Sequence, residues 1–264
     1  MSWTREQLFD GLLVLLILAG AFFGLAPFLA PGLFATAAGF AGTDVFMYRL
    51  AGAATFGYAV GLAAGFRADW RALGIPIAAT AIFNAASILA CLIAISAGPQ
   101  PVVFIILAAS VLFTAATSYF LVRPPAGRNL EAAGSSDSRA SLAPWVLGLF
   151  AIGTLAAAFF GLATLVLAGD FGQYLGYSGA DDFVYRQGGA ATLGAAVGGL
   201  LVLQSRRWDA ARLPALMALS FNGLSVIAAA IEISAGGKPI AWLILAAAGL
   251  VTVGAALAVA RRGR

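Results

Sequence analysis

The chain has 264 residues, 62% of them hydrophobic and 10% charged, with a mean hydropathy of +0.97 and no histidine. An average soluble domain carries about 25% charged residues, so the 15 basic and 11 acidic side chains here cannot cover a water-facing surface of this size. The composition points to the bilayer as solvent. One cysteine (Cys91), one lysine (Lys238) and no histidine exclude a His-ligated haem, a Cys/His zinc site or a Cys-ligated iron–sulfur cluster built by this chain alone. No cofactor or metal is expected. Lys238 stands in a Gly-Gly-Lys-Pro turn, which argues against a retinal-type Schiff base, and neither a Walker-type phosphate loop nor a nucleophile elbow is present.

Crossing about 30 Å of hydrocarbon as helix takes about 20 apolar residues, and eight such runs follow one another along the chain. They are Gly11–Ala30, Met47–Phe66, Leu73–Ser96, Val102–Val122, Pro144–Ala168, Arg186–Leu203, Leu213–Ser234 and Ile240–Ala260. Pro76, Pro101, Pro144, Pro214 and Pro239 stand at or just before a first helical turn, where a missing N–H costs nothing. Pro27 lies inside the first run and is expected to kink it or end it early.

Twelve of the fifteen basic residues fall at one side of these runs: Arg5, Arg67, Arg71, Arg123, Arg128, Arg139, Arg206, Arg207, Arg212, Arg261, Arg262 and Arg264. Only Arg49, Arg186 and Lys238 fall at the other. By the positive-inside rule the richer side is cytoplasmic, which puts both termini inside a multi-pass protein of the cell (plasma) membrane. The cationic ring favours anionic lipid headgroups at about 1 kcal/mol per basic residue, and it accounts for the sequence pI of 9.6 without nucleic acid as a partner.

The chain also repeats itself. Ala21-Phe22-Phe23-Gly24-Leu25-Ala26 recurs as Ala158-Phe159-Phe160-Gly161-Leu162-Ala163, and in the same register Asp44, Phe46, Tyr48 and Arg49 recur as Asp181, Phe183, Tyr185 and Arg186. One inserted residue later, Trp70, Pro76, Phe83-Asn84 and Ser87 match Trp208, Pro214, Phe221-Asn222 and Ser225. The first run therefore corresponds to one that begins in mid-chain, which removes its reading as a cleaved signal. The expected fold is all-α and polytopic: eight transmembrane helices as two parallel four-helix repeats, related by a pseudo-twofold axis along the membrane normal. Residues 1–122 form the first repeat, 123–143 a cytoplasmic linker and 144–264 the second repeat.

Candidate site residues come in duplicated sets. Gly57-x-x-x-Gly61 and Gly194-x-x-x-Gly198 put small residues on one helix face, as helix-packing seams require. Asp44 and Asp181 stand where they can cap a first helical turn, with Tyr48, Tyr185, Arg49 and Arg186 one turn on. A sharper reading brings the two arginines together around an anionic group, a lipid phosphate or a carboxylate, with the tyrosines alongside. Asn84 and Asn222 lie near mid-bilayer with Ser87 and Ser225 on the same face. They either glue helices or, with Thr55 and Thr192, hold a small neutral ligand at the repeat interface. Glu232, whose counterpart is Ala94, is the only acid inside an apolar run; it either relays protons in a carrier or forms an interfacial ion pair with Lys238.

Three functions follow as expectations. The first is a non-catalytic helix bundle, an accessory subunit to another membrane protein or a lipid-binding scaffold. The second is a permease for a lipophilic or small neutral solute. The third, an enzyme acting on lipid at the outer face, lacks any nameable nucleophile.

Overall fold

The computed structural model describes residues 4–98, 100–128 and 141–262; Arg139, Arg264 and positions 129–140 of the expected linker lie outside the described residues. Among the described residues all regular structure is helical apart from one β-bridge, Ser141–Arg207. The helices are α1 (Arg5–Leu29), α2 (Pro31–Ala38), α3 (Val45–Ala64), α4 (Trp70–Ser96), α5 (Pro101–Val122), α6 (Pro144–Tyr174), α7 (Asp182–Ser205), α8 (Trp208–Ser234) and α9 (Ile240–Ala260). All but α2 are long and apolar enough to span a membrane, eight in number as expected. They mark a polytopic membrane protein.

Several helices begin before their apolar runs because a polar residue caps them. Thr4 and Gln7 form a reciprocal capping box at the start of α1, and Asp69 accepts from Ala72 N (3.0 Å) at the start of α4. Both arrangements satisfy N–H groups that the first turn leaves free. Pro76 consequently lies inside α4 rather than at its start, and Pro214 lies inside α8, which begins at Trp208 without a side-chain cap. Pro27 does not end α1; the chain runs on to Leu29 and breaks at Ala30 (φ −133°, ψ 60°). Ala30 precedes Pro31, and a residue before proline is pushed out of the α region.

The second half breaks at the equivalent place without a proline. Inside α6, Ala168 takes φ 46° and ψ −116°, and the helix resumes for two further turns. The expected end of the fifth run at Ala168 thus coincides with this break.

Packing between the halves is crosswise. Within each half the second long helix lies on the first (α3 on α1, α7 on α6) and the fourth on the third (α5 on α4, α9 on α8). The third, however, packs on the second helix of the other half: α4 on α7 and α8 on α3. Contacts between α3 and α4, or between α7 and α8, are sparse by comparison. Large side chains such as Phe22, Leu155, Phe159, Trp242 and Leu250 point outward and are exposed, while alanines and glycines of α3 and α7 are buried. This suits a solvent of lipid, where close backbone approach rather than apolar burial drives helix association.

One end of the bundle collects most of the arginines. There Arg128, following α5, bonds Asp10 (2.6 Å) and the Ala68 carbonyl (3.0 Å) and lies over the Phe9 ring, and Leu142 N donates to Arg206 O (2.9 Å). The other end carries the α2–α3 and α6–α7 loops.

Candidate functional site

At this loop end the aspartates of the duplicated motif behave unlike helix caps. Neither Asp44 nor Asp181 bonds the first turn of its own helix with its side chain. Asp181 instead accepts from Ala41 N, Gly42 N and the Tyr48 hydroxyl, each at 2.8 Å. Asp44 accepts from Ser178 N (2.8 Å), Ser178 Oγ (2.9 Å), Gly179 N (2.8 Å) and the Tyr185 hydroxyl (2.8 Å). Each buried carboxylate therefore sits in the loop of the other half. Successive backbone N–H groups converge to form such an anion nest, and here the left-handed glycines Gly42 (φ 70°) and Gly179 (φ 68°) follow the turn each nest needs. Aromatic rings repeat the exchange. Phe40 stacks on Phe183 with centroids 5.8 Å apart, and Tyr177 stacks on Phe46 at 6.0 Å.

The arginines of the motif lie apart from this interlock. Arg186 Nη1 reaches back to the carbonyls of Leu165 (2.6 Å) and Val166 (3.1 Å) at the α6 break, with Nη2 3.6 Å from Asp182. Arg49 is half-buried and makes no hydrogen bond or ion pair among the described residues. The tyrosines give their hydroxyls to aspartates, not to a group shared with the arginines. Glu232 accepts from Tyr177 Oη (3.2 Å) rather than pairing with Lys238. Burial first, then the neighbouring Glu232 carboxylate, holds the Tyr177 phenol well above its ordinary pKa, so it remains a donor.

Deeper in the bundle, the glycine seams meet the crossed partners. A Cβ on Gly57 would lie 3.0 Å from the Met217 carbonyl, and one on Gly194 would lie 2.6 Å from the Ala79 carbonyl. Gly61 abuts the Met217 side chain, and Gly198 would bring a Cβ to 3.3 Å from Ala79 Cβ. The interface between halves is thus closed by backbone contact.

Two cavities flank it. The smaller, about 120 Å³, is lined by Thr55, Asn84 and Ser87 together with Tyr48 and Gln187. The larger, about 260 Å³, is lined by Thr192, Asn222 and Ser225 together with Tyr185, Thr154 and Thr164. The polar residues that the sequence groups into one interface site are therefore divided between two cavities, one beside each half. Among the described residues neither asparagine bonds a neighbouring helix: Asn84 Nδ2 donates to Thr80 O and Asn222 Nδ2 to Ala218 O, both at 2.8 Å. Thr55 and Thr192 likewise donate to their own helices, to Ala51 O (3.0 Å) and Gly188 O (2.8 Å). Ser87 differs in donating across to Gln187 Oε1 at 2.8 Å.

The larger cavity is a long groove. One face of α9, from Ile240 through Ile244, Ala248, Val251 and Ala255 to Ala258, lines it, a rise of roughly 27 Å at 1.5 Å per residue. Its outer lips are α6 and α9, which touch little. Leu149 meets Gly254 toward the arginine end, and Lys238 lies over Gly176 at the loop end. Between those touches Ala247 is exposed, and a Cβ added to Gly153 would meet nothing within 4 Å. The groove thus opens sideways, toward where lipid chains lie.

Sequence reasoning passed over Asp182, Gln187, the Tyr177–Glu232 pair and the loop residues Ala41, Gly42, Ser178 and Gly179. Asp182 carried a signal, since it stands one helical turn before Arg186 where the first half has Val45 before Arg49. The chain matches no family model, no curated protein and no solved structure, so the geometry alone carries the functional argument.

Proposed function

We propose that this protein is a non-catalytic membrane bundle that holds the apolar chain of a lipid in the groove between α6 and α9. The groove is the observation that carries the reading. It is close to the hydrocarbon thickness in length, apolar over most of its wall, open sideways, and bounded by helices that touch little. A pocket of that shape in lipid is filled by a chain, because unfilled apolar space forfeits dispersion contacts on every side. We further infer that the chain is two parallel four-helix repeats about a pseudo-twofold axis along the membrane normal, with both termini cytoplasmic and anionic headgroups against the arginine end. The exchanged aspartates and stacked aromatics support the pseudo-twofold relation, and the arginine distribution supports the orientation.

The test is lipid retention. Protein extracted in mild detergent and examined by native mass spectrometry should carry about one lipid per chain. Gly153→Phe and Ala247→Phe, which fill the groove from α6 and from α9, should lose it while keeping the wild-type helical content. Wild-type protein without bound lipid, or undiminished lipid in both variants, would overturn the reading. A permease for a lipophilic solute is the second reading, favoured by the polar residues half way along the groove. It predicts solute uptake by vesicles containing the protein, and that uptake stops in Gly153→Phe.

A further inference from the structure

The polar residues of the groove share a property that no single one reveals. Thr164 donates its hydroxyl hydrogen to Phe160 O (2.7 Å), Thr192 to Gly188 O (2.8 Å) and Ser225 to Phe221 O (2.9 Å), while Asn222 gives one N–H to Ala218 O (2.8 Å). Backbone carbonyls only accept. In each of these pairs the side chain is therefore the donor, and the three hydroxyl hydrogens are committed to the side chain's own helix. What remains toward the groove is acceptors: three hydroxyl oxygens and Asn222 Oδ1, which has no partner among the described residues. Of these four residues only Asn222, through its second N–H, has a hydrogen left to donate.

The four residues also lie at a common depth. Each stands nine to twelve residues from the loop end of its helix, roughly 14–18 Å along the axis at 1.5 Å per residue. Two hydroxyl groups nearby add no donor, since Tyr58 gives its hydrogen to Ala191 O (2.6 Å) and Tyr185 to Asp44. Thr154, which keeps an unpaired buried hydroxyl, is packed against Gly199 nearer the arginine end. Among the described residues, no charged side chain lines the groove.

Resting on the lipid-chain reading of this groove, we propose that its ligand is a lipophilic alcohol, an apolar body whose hydroxyl donates to Asn222 Oδ1 among the hydroxyl oxygens of Thr192, Ser225 and Thr164. Asn222 Oδ1 has no hydrogen-bond partner in hydrocarbon unless the occupant brings a donor. A wall without carboxylates selects a neutral donor over an ammonium. An ester, ether or ketone of the same shape can accept the second N–H of Asn222 but brings no hydrogen to Asn222 Oδ1, which it leaves unpaired. Discrimination of this kind is steep, because a site built for a hydroxyl rejects the analogue lacking one.

The experiment compares 1-dodecanol with its methyl ether, titrated into delipidated full-length protein in an amine oxide detergent and read by native mass spectrometry. The alcohol should bind at least tenfold more tightly than the ether. Asn222→Leu, which keeps the side-chain volume, should bring the alcohol down to the affinity of the ether and leave the ether unchanged; the near-isosteric Thr192→Val should reduce the preference several-fold. Equal binding of alcohol and ether by wild-type protein overturns the hydroxyl proposal while the groove reading stands. Binding of neither overturns both. A preference that survives intact in both variants overturns the assignment to these residues.

Discussion

Asp182 and Arg186, one turn apart on α7, take up the two ends of a single missing hydrogen bond. In an unbroken α6, Gly169 N would donate to Leu165 O. Ala168 breaks that pairing, and Gly169 N instead reaches Asp182 Oδ1 (2.9 Å) while Leu165 O receives Arg186 Nη1 (2.6 Å). A backbone break within lipid is tolerated only where neighbouring groups satisfy what it frees, and α7 supplies both groups.

Arg186→Leu should therefore lower the unfolding midpoint of the detergent-solubilised protein, by a free energy of about 1–3 kcal/mol, the usual cost of a buried group left without its partner. Arg49→Leu should leave the midpoint within error. Equal effects of the two substitutions would show that the carbonyl contacts of Arg186 contribute nothing.

The exchanged aspartates make a prediction about coupling. A double-mutant cycle of Asp44→Ala with Tyr185→Phe should give an interaction energy of about 1 kcal/mol or more, the range for residues in one hydrogen-bonded network. Asp44→Ala with Tyr48→Phe, a pair within one motif, should be nearly additive. Thermal unfolding monitored by circular dichroism checks both.

Glycine substitutions should differ in sign. Gly57→Ala and Gly194→Ala force a methyl against the carbonyls of Met217 and Ala79 and should destabilise by about 1–3 kcal/mol, as overpacking does. Gly11→Ala and Gly148→Ala meet nothing within 4 Å and should stabilise by about 0.5–1 kcal/mol through helix propensity. A uniform response across the four would refute the assignment of the seams.

Orientation is checked by labelling. In a Cys91→Ser background, Ala97→Cys on intact cells should react with a membrane-impermeant maleimide, and Ser141→Cys should react only after permeabilisation. The reverse pattern would invert the proposed topology.

The number of spans was legible because eight long apolar runs separated by charge admit few other readings, and the crowded Gly57 and Gly194 seams lie where the small-residue spacing pointed. Partner choice was not legible. Asp44 and Tyr48 stand one turn apart, so local spacing suggests that they act together, whereas the crossed packing sends each to the other half. Asn84 and Asn222 fall in separate cavities for the same reason: α4 packs on α7 and α8 on α3. The partner of Glu232 was not legible because it is not near in sequence: Lys238 stands close along the chain, but Tyr177 is the residue that reaches it. Tyr177 donates to it, and the equivalent positions in the first half are Phe40 and Ala94, without hydroxyl or carboxyl. Two differences that look independent along the chain are one contact in space.

The exchange of loops also sets an order in time. Asp44 finds its donors at Ser178, 134 residues further along the chain. At a synthesis rate of ~5–20 residues per second, that carboxylate waits about 7–27 s for its partner, and the first four spanning helices are complete before the wait ends. During that interval a like loop, the one formed by Ala41 and Gly42, is present on any nascent copy nearby. Closure of the chain on itself is therefore a race between its own later helices and a neighbour, and expression at high density should favour intertwined dimers.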